Sequence, residues 1–329
     1  MEGRGEYEII TLDGVEFRYV KPYIQYYATR SKKSWEGMRI LDMLISEFKS
    51  YNDEYYREGI LNGMLQINYQ KVELDYVLKS GDMVTHIAKR VEPPVYNRPI
   101  EIIYESPNLL VLNKPSSLPV HPSGAYYKNS LLYILNNELG YKNLHLTHRL
   151  DKVTSGLIII SKNLETALTL RSFFQSNLIE KYYIARVKGN FPYQSIEIQE
   201  KISSEQDQNG VFKVTQNGKD SLTVVKKLFY DQQKDESAVE CRPVTGRTHQ
   251  IRVHLGYLGF PIVDDISYGG NCARPLGVSE DLYRMKFGEK RVRLEIPKQL
   301  EIKLCAFRYK IAGKLDFSIA LPLWALRSI

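Results

Sequence analysis

Apolar residues fall along this chain in short runs and short helical stripes, not in long alternating strand–helix blocks. Ile40, Leu41, Leu44, Ile45 and Phe48 share the spacing of one helical face, and Tyr55–Leu61 predicts a second short helix. Leu65–Asn68 and Met83–Ile87 read as strands, introduced by Gly63 and Gly81. Ile102–Tyr104 and Leu109–Asn113 read as two more, parted by a Ser-Pro-Asn turn. Ser130–Glu138 predicts a helix, with Leu131, Ile134 and Leu135 apolar and Gly140 closing it. Leu157–Ile160 is apolar without interruption and reads as a strand buried on both faces. Leu164–Asn177 predicts a helix lying on the sheet by Leu164, Ala167, Leu168 and Phe174. Lys181–Lys188 is a strand ended by Gly189, and residues 197–240 alternate short β-prone pieces with polar turns. A last helix starts near Thr248, with Ile251, Leu255 and Leu258 as its stripe and Gly259 and Pro261 beyond. Many short strands and few helices predict an α+β chain, with helices flanking a mixed, largely antiparallel sheet.

The same pattern divides the chain. Residues 1–34 read as an N-terminal extension with a hairpin around Val15–Val20, and residues 35–90 as a compact module of two helices and a small sheet. Residues 91–98, rich in proline, read as an extended linker. Residues 99–329 form the principal domain.

Composition narrows the class. A hydrophobic content of 43% can furnish a real core, and the net charge of +7 favours a polyanionic partner. Cys241, Cys272 and Cys305 are far apart, which suggests neither a zinc site nor a disulfide framework and fits a reducing compartment. No apolar run approaches a membrane span of about 20 residues, and the first residues lack a signal-peptide core. Glu2 and Glu6 argue against a mitochondrial presequence, leaving the cytosol, with the nucleus as the alternative.

The chemistry concentrates around Leu146–Ile160. Arg149 and Asp151 stand just before the turn-prone Thr154-Ser155-Gly156, which opens into the buried run. A carboxylate beside a buried strand is costly to desolvate alone, so a cation from elsewhere should meet it. The best donor lies about a hundred residues on, in TGRTHQIRVHL. Taken by itself, Asp151 would be read more simply as a turn residue.

The segments HRLDKVTSG, KYYIARVKG and TGRTHQIRVHL, in that order, resemble the RluA family of RNA pseudouridine synthases over most of Pro99–Pro261. The resemblance implies the pseudouridine-synthase fold, and GMLQIN and LKSGD resemble the small alpha-L-type RNA-binding module that precedes it in many members. It implies Asp151 as the catalytic aspartate and Arg252 as its ion-pair partner, with Arg247 the competing cation and a candidate for phosphate contact. Strand parity puts Tyr183, Ala185 and Val187 on one face, taken as inward, and the family's K-x-Y-x-A-x-V pattern selects Tyr183 for stacking on the target base. Arg149 is implied to help displace a flipped nucleotide, and His148 and His249 join Arg247 as RNA-facing candidates.

Such an isomerisation needs no redox step and no metal, so no cofactor is expected. His249 and His254 lie five apart, on different helical faces, and there is no H-E-x-x-H, Walker-type loop, G-x-S-x-G or zinc-deaminase signature. The expected partner is RNA, with no membrane and no obligate protein partner. WEG, EPPV and PVHPSG resemble the eukaryotic branch that modifies tRNA, which implies an anticodon-loop uridine. A ribosomal RNA synthase is the alternative, and a non-catalytic RNA-binding or RNA-folding protein is the rival from another class. A metal-dependent nuclease is disfavoured by the missing ligand cluster.

Overall fold

The computed structural model describes residues 6–48, 51–208, 210–271, 296–311, 313 and 315–327. The chain divides into two units, Met1–Val20 with Glu92–Ile329, and Lys21–Val91. The expected 1–34 extension is therefore split between them. Strands β1 (Tyr7–Leu12) and β2 (Val15–Val20) form the hairpin, turning at Asp13-Gly14, and they belong to the larger unit. Phe17 and Tyr19 are buried there with Ile296 and Leu300, and Arg18 forks onto Glu138. Strand β3 (Tyr23–Arg30) instead joins the smaller unit. It is exposed along most of its length, and a strand without a buried face shows no alternation to read.

In the smaller unit β3 is followed by α1 (Ile40–Glu47), α2 (Asp53–Leu61), β4 (Leu65–Ile67) and β5 (Met83–Arg90), and the sheet order is β3-β5-β4. Asn52 caps α2, its Oδ1 accepting from Tyr55 N at 3.0 Å. Ile40, Met43, Leu44 and Ile60 from the helices meet Leu65, Ile67 and Val84 from the sheet in one core.

In the larger unit the expected 91–98 linker contains a short strand, β6 (Val95–Tyr96), which pairs with β2. The chain continues through β7 (Glu101–Glu105) and β8 (Leu109–Lys114) to α3 (Leu131–Tyr133), which widens into a π-helical turn over Ile134–Glu138. Then come β9 (His145–Leu146), β10 (Ser155–Ser161), α4 (Leu164–Gln175), β11 (Ile179–Lys188), β12 (Ser195–Ile198), β13 (Thr223–Asp231) and β14 (Glu236–Pro243). Helix α5 (Gln250–Tyr257) and strands β15 (Leu304–Ile311) and β16 (Leu315–Ser318) complete the unit. Ten of these strands make one sheet, ordered β12-β13-β14-β11-β15-β10-β8-β7, with β16 beside β15 and β9 beside β10. It is antiparallel except where β10 meets β15.

That parallel junction explains Gly156. Its φ is +115°, and a Cβ there would stand 2.2 Å from Ala306 O, so only glycine lets β15 come this close. Gly156→Ala is expected to lower stability by at least about 1–3 kcal/mol, read as a drop in thermal midpoint; an unchanged midpoint would contradict the close approach.

Side chains Leu157 to Ile160 are buried on both faces of the sheet, as their unbroken apolarity requires. One other face assignment needs correction. On α4 the buried residues are Ala167 and Leu170, whereas Leu164 and Leu168 are exposed. On β11 the face opposite Tyr183 is covered by the C-terminal segment. Ile184 packs with Cys305 and Ala325, and Arg186 donates to Trp324 O at 2.8 Å and Leu326 O at 2.9 Å. Cys241 and Cys305 are buried free thiols; Cys272 lies outside the described residues.

Candidate active site

A cleft of about 660 Å³ opens in the larger unit where two halves of its core meet, and Tyr183 touches both halves. Its walls come from the turn before β10, from α4, from the start of β11 and from the loop between β14 and α5. Asp151 stands in the first of these, its carbonyl accepting from Thr154 N at 3.1 Å. Helix α5 reaches the same place from about a hundred residues away, because Ile251 and Leu255 anchor it in the core and turn Arg252 toward the cleft.

Arg252 Nη1 donates to Asp151 Oδ2 at 3.1 Å. The same guanidinium forks onto a second carboxylate, with Nε to Asp265 Oδ2 at 2.7 Å and Nη2 to Asp265 Oδ1 at 2.9 Å. Asp265 has no solvent exposure. The ring of Tyr268 lies 4.8 Å from the guanidinium carbon, closing a further side. A cation held by a bidentate pair and a ring has little freedom to swing, so its third contact fixes the Asp151 carboxylate as well.

His249 precedes α5 with φ at 56°, a left-handed conformation that costs a non-glycine residue about 1–2 kcal/mol. The strain brings its Nε2 to 3.6 Å from Asp151 Oδ2, while its Nδ1 lies 2.8 Å from the Tyr268 hydroxyl. Burial pushes the ring's pKa down and outweighs the pull of Asp151, so it faces the carboxylate as a neutral imidazole near pH 7. Tyr183 places its hydroxyl 3.1 Å from that of Tyr309. Burial raises the Tyr183 phenol to about 12, which keeps it protonated at neutral pH.

Of the residues singled out from sequence, Asp151, Tyr183, Arg252, Arg149, His148, Arg247 and His249 all line this cleft. His148 is held on its inner side by the core. Its Nε2 accepts from Ile159 N at 3.0 Å, so the ring carries its proton on Nδ1, and it packs on Phe174 and Tyr309. Burial drives its pKa down to about 3. It ties the aspartate-bearing segment to β10. Arg247 is exposed and donates to Asp220 O at 2.9 Å, away from the Asp151 pair. Arg149 is exposed at the cleft.

Asp265, Tyr268 and Lys114 went unnoticed in the sequence. Asp265 lies beyond the third motif, and its signal, two adjacent aspartates after the apolar Pro261-Ile262-Val263, is faint without a visible partner. Lys114 is fully buried and donates to Pro115 O at 2.8 Å and Leu118 O at 2.9 Å, with Lys152 O at 3.5 Å. It thereby ties the loop after β8 to the residue next to Asp151, and burial lowers its pKa to about 7.

Comparison with known proteins places this geometry. A family model described as RNA pseudouridylate synthase matches residues 108–257, a span that includes Asp151, Tyr183 and Arg252. The chain is similar to the mitochondrial tRNA pseudouridine(32) synthase of Saccharomyces cerevisiae, at 38% identity over 81% of this chain and 57% of that protein. It is also similar to the tRNA pseudouridine(31) synthase of Saccharomyces cerevisiae, at 31% identity over 92% of this chain and 82% of that protein. Among solved structures, human RNA pseudouridylate synthase domain containing 4 matches with a TM-score of 0.50 and 28% identity, over 68% of this chain and 90% of that one. The chain spans about half the length of several curated relatives that it matches, 57% of one and 46% of two others. The expected cytosolic or nuclear location is corrected by these likenesses, because a relative at 38% identity is named as mitochondrial. Two glutamates near the start were too slight a sign to set against that. The motif order, the sheet and a relative above 30% identity that the chain covers over four-fifths of its length agree, and the chain belongs to the RNA pseudouridylate synthase family.

Proposed function

We propose that this chain isomerises uridine to pseudouridine in RNA, with Asp151 as the nucleophile or base acting on a flipped nucleotide. The observation that carries the reading is the 3.1 Å contact from Arg252 to Asp151 at a cleft large enough for one nucleotide. The reaction breaks the bond between N1 and C1′, turns the freed uracil and joins its C5 to C1′; N1 gains a proton and C5 loses one. A carboxylate fixed by a guanidinium is suited to meet C1′ or a proton on the sugar, and the enclosed wall keeps the base from escaping. Tyr183, at the junction of the two core halves, is the stacking surface for that base. Arg149, exposed at the cleft, is the residue for displacing the base from its stack, and Arg247 contacts phosphate.

For the substrate we take tRNA, at an anticodon-loop uridine. The likeness to the eukaryotic branch supports this, as do two relatives named for tRNA positions. The deciding experiment maps pseudouridine in total RNA from cells lacking the protein, complemented with wild type or with Asp151→Asn. Loss of a tRNA signal that only the wild type restores is expected; loss of a ribosomal RNA signal instead would move the substrate, and no change at any site would favour a non-catalytic RNA-binding role.

Tyr183→Phe keeps the ring and removes the hydroxyl that meets Tyr309. It is expected to lower turnover about tenfold or more while leaving RNA affinity nearly unchanged, if the hydroxyl takes part in proton transfer. An unchanged rate in single-turnover kinetics would leave stacking alone.

A further inference from the structure

Arg252 has no charge to offer a substrate. It faces two carboxylates, so Asp151, Arg252 and Asp265 together carry a net charge of −1, and His249 beside them is neutral. Yet the nucleotide that must enter is itself an anion. Lys181 supplies what this group lacks. It lies on β11 two residues before Tyr183, so both side chains rise from the same face of the strand, and both line the cleft. Its Nζ donates to Thr245 O at 3.0 Å, and a Cβ added to Gly246 would stand 3.8 Å from it. Among the described residues it joins no ion pair. A partly enclosed ammonium with no carboxylate is an uncommon arrangement, and two of its three N–H groups are left for another acceptor.

We propose that Lys181 contacts the substrate directly, giving its remaining N–H groups to an anionic oxygen of the flipped nucleotide. This rests on the uridine isomerisation argued above. Two kinds of oxygen on that nucleotide qualify. The phosphodiester is charged before and during reaction alike, whereas the uracil oxygens gain charge as the bond between N1 and C1′ breaks and the base leaves with its electron pair. A cation on the first strengthens binding throughout, and a cation on the second acts on the barrier. The other titratable and charged groups that line the cleft are His148, Arg149 and Asp151 from the segment before β10, Arg171 from α4, Tyr183 from the same strand, and Arg247, His249 and Arg252 from the loop after β14 and from α5. Burial brings Lys181 down to about 8, while His148 sits near 3 and Tyr183 near 12; Lys114, buried near Asp151 at about 7, is the other group that changes charge nearby, and its effect is common to wild type and Lys181→Arg.

The test uses the full chain on tRNA labelled with tritium at uridine C5, whose release reports product. Lys181→Met is expected to lower kcat/KM at least about tenfold, and Lys181→Arg to hold it within a few-fold of wild type. A loss in kcat assigns the contact to the uracil, and a rise in KM alone assigns it to the phosphodiester; either supports the proposal. The wild-type rate should fall as pH rises through about 8, where the ammonium loses its proton, and that limb should be absent in Lys181→Arg. Unchanged kcat and KM in Lys181→Met overturn the proposal. Should that variant not fold, an alkaline limb in Lys181→Arg at the wild-type position overturns it equally. Absence of release by the wild type from any RNA would instead overturn the isomerase reading, and this proposal with it.

Discussion

Replacing Asp151 by Asn is expected to abolish pseudouridine formation while leaving RNA affinity within a few-fold of wild type. The two halves of that expectation have different physical origins. Affinity comes mostly from contacts between cations and phosphates, and the substitution removes none of the exposed arginines at the cleft. Turnover depends on a carboxylate oxygen that can attack or take a proton, and an amide of the same shape can do neither. Removing such a group costs at least roughly 10³-fold in rate. Stability should change little, because Arg252 keeps its bidentate pair with Asp265 and the new amide occupies a partly exposed position. Product release and filter binding on the same preparation check both halves. Substantial turnover by the variant would remove Asp151 from the chemistry.

Arg252→Ala should lose both activity and stability. With the guanidinium gone, Asp151 has no fixed cation and Asp265 is stranded with no solvent to receive its charge. Breaking a buried pair by removing one partner costs about 3–5 kcal/mol, which for a domain of this size is a fall in melting temperature of roughly 10 °C. A second substitution separates the two effects. In the Arg252→Ala background, Asp265→Asn removes the stranded charge and is expected to recover part of the stability and none of the activity. Wild-type rate and stability in Arg252→Ala would transfer the role to Arg247, against its exposure and its bond to Asp220 O.

Much of the site was legible because its residues lie in three runs dense with distinctive side chains. HRLDKVTSG announced a carboxylate before a buried strand, and the cost of desolvating it predicted a distant cation; the 3.1 Å contact from Arg252 meets that expectation. Parity along β11 placed Tyr183 toward the cleft. Parity is silent on the opposite face, where Ile184 and Arg186 are covered by Trp324–Leu326, since nothing local to a strand says what will lie across it. Nothing local to His148 announced that its ring would accept from Ile159 N and pack on Phe174 and Tyr309, because those partners come from other elements.

By itself, the sequence determined what each segment could do: which runs were strands, where glycine had to turn the chain, and which charged residues needed partners. Periodicity and desolvation cost act over a few residues, so they can be read along a chain. Tertiary structure alone decided which partners met. It gave Arg252 a second carboxylate, Asp265, assigned β1 and β2 to the larger unit and β3 to the smaller, and left the Lys181 ammonium at the cleft without an anion among the described residues. Those outcomes depend on surfaces brought together by burial of a core shared among segments more than a hundred residues apart, and no local pattern records which surfaces will meet.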